Sequence, residues 1–324
     1  MTTLRIASGV AGTRILGIGS AQPERVVTND DLSKIMDTND EWIRERVGIV
    51  ERRFGDEKDT VVSMAVEAGA KAIAAAGLSP TDLDTVIVAN CTTKQPIPNA
   101  AAQVAELIGI EAAGGFDLNA ACAGFCYGLG VGSDLVRAGS SKRALVIGSE
   151  KLTDIVNPVD RSTAIIFADA AGAAVVGPSD EPGIGPVVWG TAGDLVDMIG
   201  MTESTHIFQE GQSVYRWATT KIAPVALRAL EAAGLTPADV DVLIPHQANL
   251  RIVEAIAKRL RKEGAREDMV VADDIVYSGN TSSASIPMAM DHMRAAGRIH
   301  SGDVALLVGF GAGLSYAGQV VVCP

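Results

Sequence analysis

Three side chains in this sequence have the types and settings suited to covalent chemistry: Cys122, His246 and Asn280. Cys122 is one of four cysteines and sits in DLNAACAGFCYGL between Ala120, Ala121, Ala123 and Gly124, where a core would hold bulkier groups. Phe125, Leu129 and Leu135 follow at helical spacing, which predicts that the thiol lies at or near a helix N-terminus. Unpaired backbone N–H groups and the helix dipole there favour thiolate over thiol. Two readings stay open on this segment alone: a nucleophile with room for a substrate carbonyl, or a small buried hydrophobe, a common role of cysteine.

His246 stands in IPHQANLRI, between an apolar strand and a helix, with Pro245 fixing its approach. That setting suits a catalytic imidazole better than those of His206, His292 and His300. Asn280 lies in YSGNTSSASIP, after the strand-like DDIV (273–276) and before a helix opening at about Ser283. It offers a neutral amide donor, and equally reads as an ordinary turn or cap residue. GFGAGLSYA (309–317) turns sharply enough to present backbone N–H groups to an oxyanion, or serves as a plain turn.

The elements that must position these groups are legible as an internal repeat. AGLSPTDLDTVIVANCT (76–92) realigns with AGLTPADVDVLIPHQAN (233–249), and ALVIGSE (144–150) echoes ALLVGFG (305–311) in the same order at nearly the same spacing. In each long copy an Ala-rich helix (61–76; 219–233) ends at a glycine, a proline and aspartates make a turn, and a short apolar strand follows. Both members of the second pair read as buried strands running into glycine-containing loops. The expectation is a duplicated α/β fold of two similar halves, 1–178 and 179–324, divided where Pro and Gly cluster in VVGPSDEPGIGP (175–186). Strand C-terminal ends collect functional groups in such folds, which places Asn90-Cys91-Thr92 and His246-Gln247-Ala248-Asn249 at equivalent tips.

Composition narrows the function classes. The 324 residues carry 39 Asp and Glu against 27 Lys and Arg, a net charge of −12, which argues against nucleic-acid or anionic-membrane binding. The cysteines form no CxxC pair and have no neighbouring histidine, so neither a zinc site nor a disulfide framework is indicated. MTTLRIASGVAG has no basic start with a long apolar run, and the expectation is a soluble, cytoplasmic protein. One segment opposes the acidic average: Arg251, Lys258, Arg259, Arg261, Lys262 and Arg266 crowd residues 251–266, with Arg251, Lys258 and Lys262 on one helical face. An acidic partner and a merely solvated helix face fit it equally.

DLNAACAGFCYGL, PHQANLRI, SGNTSSASIP and GFGAGLSYA, with TNDEWIRERVGIVERRF (38–54) and DRSTAIIFADAAGAAV (160–175), resemble β-ketoacyl-acyl carrier protein synthase III, in order and nearly end to end. The resemblance implies the thiolase fold, with mixed sheets layered between helices (αβαβα), a homodimer, and a Cys–His–Asn triad falling on Cys122, His246 and Asn280. It implies attack of Cys122 on a short acyl-CoA, an oxyanion held by the backbone N–H groups of Cys122 and Ala312, and decarboxylation of malonyl-acyl carrier protein supported by His246 Nε2 and the Asn280 amide. No metal or redox cofactor is implied; acyl-CoA is a substrate. Thr38, Trp42 and Arg46 match the family's adenine and phosphate contacts. Arg161, Gly211, Asn249 and Arg251 would line the path of the pantetheine arm, and Ile97 would reach the partner subunit's acyl pocket. Arg251, Lys258, Arg259 and Lys262, with Arg216 beside them, would dock the acidic carrier protein. Residues 189–211 are shorter than the family's pattern and 262–268 longer, so the tunnel rim follows that pattern less closely than the triad does. A ketosynthase-like acyltransferase without decarboxylation is the nearest rival. A papain-like hydrolase shares the Cys, His, Asn order but not the flanking residues, and a non-catalytic carrier-binding module is the remaining alternative.

Overall fold

The computed structural model describes residue 4 and residues 7–324. The chain alternates strands and helices in two runs. The first contains β1 (Gly12–Ala21), β2 (Val26–Thr28), α1 (Asn29–Ser33), α2 (Asp40–Val47), β3 (Glu51–Arg53), α3 (Val61–Ala75), β4 (Thr85–Ala89), α4 (Ala100–Ile108), β5 (Gly114–Leu118), α5 (Gly124–Arg137), β6 (Ala144–Lys151) and β7 (Asp169–Ser179). The second contains β8 (Val188–Thr191), β9 (Ile199–Met201), β10 (Ile207–Gln209), α6 (Gly211–Ala232), β11 (Val242–Pro245), α7 (Leu250–Lys262), β12 (Val270–Val271), α8 (Ile275–Ser278), α9 (Ser285–Ala295), β13 (Val304–Gly311) and β14 (Ser315–Val322).

The repeat seen in the sequence is a repeat of topology. One five-stranded sheet runs β5-β4-β6-β7-β1 and the other β12-β11-β13-β14-β8, each with its first three strands parallel and its last two pairings antiparallel. The matched residues do the same work twice. α3 and α6 both run into a left-handed glycine, Gly77 (φ 67) and Gly234 (φ 72). The Asp82 and Asp239 carboxylates then cap the backbones of Ser79 and Thr236, each at 2.8 Å, and a buried strand follows. The strands β4, β6 and β11 are buried along their whole length, because helices cover both faces of each sheet.

Five layers result. Helices α3 and α4 cover the outer face of the first sheet, α6 and α7 that of the second, and α5 and α9 lie between the sheets. The central core joins α5 residues Phe125, Cys126 and Leu129 to strands of both sheets and to Ile286, Ala289 and Met290 of α9. Cys126 is thereby a packing residue, fully buried one turn beyond Cys122. The chain crosses between the sheets from Ser179 to Val188, whereas α9, late in the sequence, packs on β7 and β1 of the first sheet.

Three local expectations are corrected. DDIV (273–276) does not form a strand: Ile275–Ser278 is a helical turn, with the Ile275 N–H donating to Gln247 Oε1 at 3.1 Å and Ile275 buried against the Ile43, Val47 and Ile49 cluster. The β-branched pair mimics a strand, but Gly279 (φ 68) ends a turn there. The second Ala-rich helix starts at Gly211, not near 219, and continues through Pro224. Gly148 lies inside β6 rather than in a loop, and the position needs a glycine because a Cβ there would meet the Ser283 carbonyl oxygen at 2.3 Å. Among the described residues no helix is long and apolar enough to cross a membrane.

Candidate active site

A cavity of about 810 Å³ brings Cys122, His246 and Asn280 together from three segments. Cys122 lies in a 3-10 turn (Ala121–Ala123) that leads directly into α5, so its place at a helix start agrees with the sequence. The turn is entered through Ala121 in a left-handed conformation (φ 45), uncommon for a residue with a Cβ. Opposite, Gly311 packs so close that a Cβ there would meet Cys122 Cβ at 2.8 Å and its sulfur at 3.0 Å. Ala312 follows at the start of the turn that Gly313 (φ 121) closes, and it lines the same cavity. The ionisation of the thiol differs from the helix-terminus expectation. Burial pushes Cys122 up to about 12, outweighing the Ser282 hydroxyl and its own N–H, which act in the opposite sense. Its surface is partly open, but only into the cavity, so the resting group is a thiol.

His246 caps the end of β11 and is buried, its ring edge-on to Phe310 at 5.3 Å. Its Nδ1 lies 2.7 Å from Ser285 Oγ, which also accepts the Gln247 N–H at 3.3 Å. A Ser285 hydroxyl donating to Nδ1 leaves the ring proton on Nε2. Burial lowers this histidine to about 3, so it is neutral at ordinary pH and offers an N–H. Asn280 is fixed at both ends of its peptide: its N–H donates to the Ile166 carbonyl at 2.9 Å and its carbonyl accepts the Ala168 N–H at 2.9 Å. Its Oδ1 accepts the Ser282 N–H at 2.9 Å, which turns the Nδ2 amide group toward the cavity. The site therefore presents a thiol and two neutral donors to one enclosed space.

Trp42, Arg46, Arg161, Gly211, Arg216, Asn249 and Arg251 line the other end of the cavity. The Arg161 guanidinium stacks 4.1 Å over the Trp42 ring and donates to the Asp37 carbonyl at 2.7 Å; Arg46 lies 5.3 Å over the same ring. Arg251 rests over Tyr215 at 5.1 Å. Asn249 is occupied as the cap of α7, accepting the Arg251 N–H at 2.9 Å and donating to the Arg46 carbonyl at 3.1 Å, so it ties α2 to α7. Thr38 is not in the lining; its hydroxyl oxygen is buried without a partner. On α7, Lys258, Arg259 and Lys262 are exposed, and Arg259 pairs with Glu263 at 2.7 Å. Ile97 is 87% exposed and lies outside the cavity lining.

Family models for 3-oxoacyl-[acyl-carrier-protein] synthase III match residues 116–193, and its C-terminal region residues 230–323. The chain is 49% identical over 317 residues to β-ketoacyl-[acyl-carrier-protein] synthase III 4 of Streptomyces coelicolor, covering 97% of this chain and 99% of that one. It belongs to the β-ketoacyl-acyl carrier protein synthase III family. It is thus an acyltransferase of the condensing type. The solved priming β-ketosynthase of the R1128 polyketide pathway superposes with a TM-score of 0.96 at 41% identity, covering 100% of this chain and 99% of that one. The synthase III of Aquifex aeolicus gives 0.91 at 37%, covering 96% and 100%. The duplicated thiolase-like fold is shared with both.

Placed in this synthase III scaffold, the cavity rests on a buried group that the motifs did not include, held beneath the lining residues Cys91 and Ser282. Glu150, fully buried at the end of β6, accepts from Thr92 Oγ1 at 2.7 Å, the Cys91 N–H at 3.1 Å and Ser282 Oγ at 3.0 Å; Cys91 Sγ lies at 3.4 Å and Ser283 Oγ at 2.9 Å. Burial raises its carboxyl above the usual range, against the hydroxyl and amide donors that favour the anion. Its sequence signal was a lone carboxylate closing an apolar strand.

Proposed function

We propose that this enzyme joins a short-chain acyl-CoA primer to malonyl-acyl carrier protein with loss of carbon dioxide, giving 3-ketoacyl-acyl carrier protein and starting a fatty acid or polyketide chain. The observation that carries this reading is the pair of neutral N–H donors, His246 Nε2 and Asn280 Nδ2, directed into the cavity that holds the Cys122 thiol. In the first half-reaction Cys122 attacks the thioester carbonyl, the backbone N–H groups of Cys122 and Ala312 receive the oxyanion, and CoA leaves as its thiol. In the second, the malonyl carboxylate departs and its electron pair builds charge on the thioester oxygen, where two donors lower the barrier. The carbanion then attacks acyl-Cys122 and expels the Cys122 thiolate, which takes up one proton from solvent to restore the thiol. A protonated histidine is not needed, and the sequence of steps calls on no resident metal or redox group.

The exposed Arg46, Arg216 and Arg251 at the mouth suit the phosphates of CoA and of the carrier's pantetheine arm, with the Trp42 and Arg161 stack facing the adenine. Lys258, Lys262 and Arg259 extend that positive rim along α7 toward an acidic carrier protein. A homodimer is supported by β5, an edge strand with half-exposed Phe116, flanked by exposed Leu107 and Ile97. Paired there, Ile97 would lie against the partner's acyl pocket. Four unpaired cysteines fit a cytoplasmic setting.

The test is direct. Acyl-CoA alone is expected to add one acyl group to the wild type and none to Cys122→Ala, by intact-protein mass spectrometry. Adding malonyl-acyl carrier protein is expected to release carbon dioxide and form the 3-keto product. Acyl transfer without carbon dioxide release would replace this reading with that of a simple acyltransferase, and no Cys122-dependent adduct would remove both.

A further inference from the structure

The arrangement raises a question about the proton of Cys122. The resting sulfur carries one, and Ser285 Oγ, which accepts the Gln247 N–H, has its own proton to give to His246 Nδ1, the tautomer that presents an N–H rather than an acceptor toward the cavity. Another group has to receive the proton as the sulfur attacks. Ser282 is placed to do so. It is buried, lines the cavity beside Cys122, and holds a left-handed backbone (φ 51) that costs roughly 1–3 kcal/mol for a residue with a Cβ. That conformation places its hydroxyl in the lining that Cys122 shares, where it donates to Glu150 Oε1 at 3.0 Å and keeps an oxygen lone pair free for a thiol proton. Gly148 supports the placement, since the gap left by its missing side chain admits the backbone of Ser283 against β6.

Glu150 is the only carboxylate in contact with this hydroxyl among the described residues, and its own partners are all neutral donors. The titratable groups facing the cluster are Cys91 at the β4 tip, Cys122 before α5 and His246 at the β11 tip. The adjacent Lys151 turns its ammonium away, to the Asp56 carbonyl oxygen and, at 4.0 Å, Asp154. A buried carboxyl group with no cation in contact, a ring of neutral donors and one hydroxyl leading to the nucleophile is an arrangement suited to exchanging a proton.

We infer that Ser282 and Glu150 form a proton relay for Cys122, in which the thiol proton passes to Ser282 Oγ while the Ser282 hydroxyl proton passes to Glu150 Oε1. The S–C bond to the acyl carbon forms as this happens, and Glu150 becomes a neutral acid. When the C–S bond to CoA breaks, the proton returns along the same path to the leaving thiolate, and Glu150 is again a carboxylate. The inference rests on the acyl-Cys122 reading above and adds the base that reading lacks.

The experiment follows acyl-Cys122 formation by rapid quench and mass spectrometry from pH 6 to 9 in wild type, Ser282→Ala, Glu150→Gln and the double variant. Carbon dioxide release from malonyl-carrier protein is measured for each change in a Cys122→Ala background. At pH 7 each single variant is expected to acylate roughly 100-fold more slowly, with the deficit narrowing as pH rises and the double variant little worse than either. Decarboxylation is expected to fall less than about threefold, because it does not use the relay. Acylation of Ser282→Ala at the wild-type rate with the wild-type pH profile overturns the relay alone. A deficit equal at every pH and shared by decarboxylation also overturns it, assigning the pair to structure. Ser282→Ala removes one buried oxygen and decides the matter even where Glu150→Gln does not fold. A wild type that forms no adduct overturns the functional reading itself.

Discussion

At the residue scale, this site works by holding ordinary groups in forms that suit them. His246 is kept neutral by burial, and Asn280 has its acceptor end consumed so that its donor end faces the cavity. The sequence made both residue types visible, and the strand-tip setting of His246 with them. What it did not reveal was the sign of the thiol's ionisation. A helix start favours thiolate, but enclosure between Gly311, Ala312 and the serine turn desolvates the charge more strongly. Glu150 was hidden for a related reason: its partners come from the β4 tip and the Asn280 turn, which are far apart in sequence. The neutral histidine has a pH consequence. Its folded value, about 3, lies below the usual 6.5, so it stays uncharged as pH falls through the ordinary range. Decarboxylation by Cys122→Ala is therefore expected to show no loss centred near pH 6.5, and Asn280→Ala is expected to lower it roughly 100-fold. A loss with its midpoint at 6.5, followed by carbon dioxide release, would contradict the neutral donor.

At the scale of elements, the duplicated α/β plan was legible because each helix, glycine stop, capped turn and buried strand carries its own local signal, and the signals occur twice. The misreadings fall where tertiary contact overrides local pattern. Ile275 and Val276 have strand propensity, yet the Gln247 side chain caps them as a helical turn. Gly148 read as a loop glycine, while its function is to let two segments touch. Adding a methyl group there would force the Ser283 carbonyl away from β6, since the two atoms would stand 2.3 Å apart. Gly148→Ala is expected to lower stability by about 1–3 kcal/mol in urea unfolding. It should also slow acylation, because the displaced turn carries Ser282 and Asn280. A variant of wild-type stability and rate would show that β6 and the turn are not held in contact.

At the scale of the whole molecule, charge poses the sharpest problem. In the proposed reaction a chain of net charge −12 would approach an acidic carrier protein of the same sign, so attraction would have to be local. The exposed cations near the mouth are unequally free to supply it. Arg259 is engaged with Glu263 across one turn, and exposed pairs of that kind contribute little, whereas Lys258 and Lys262 have no carboxylate within 4.0 Å among the described residues. Reversing those two lysines, Lys258→Glu with Lys262→Glu, is expected to raise KM for malonyl-acyl carrier protein about tenfold at low salt. Acylation by acyl-CoA should be nearly unchanged, because α7 lines the cavity with Arg251 and Ile252 and not with its last turn. Added salt should shrink the difference, since exposed charges are screened beyond about 8 Å at physiological ionic strength. Arg259→Ala should have the smaller effect. Equal KM values for wild type and the double reversal at low salt would remove α7 from the docking surface and leave the mouth arginines as its only cationic part.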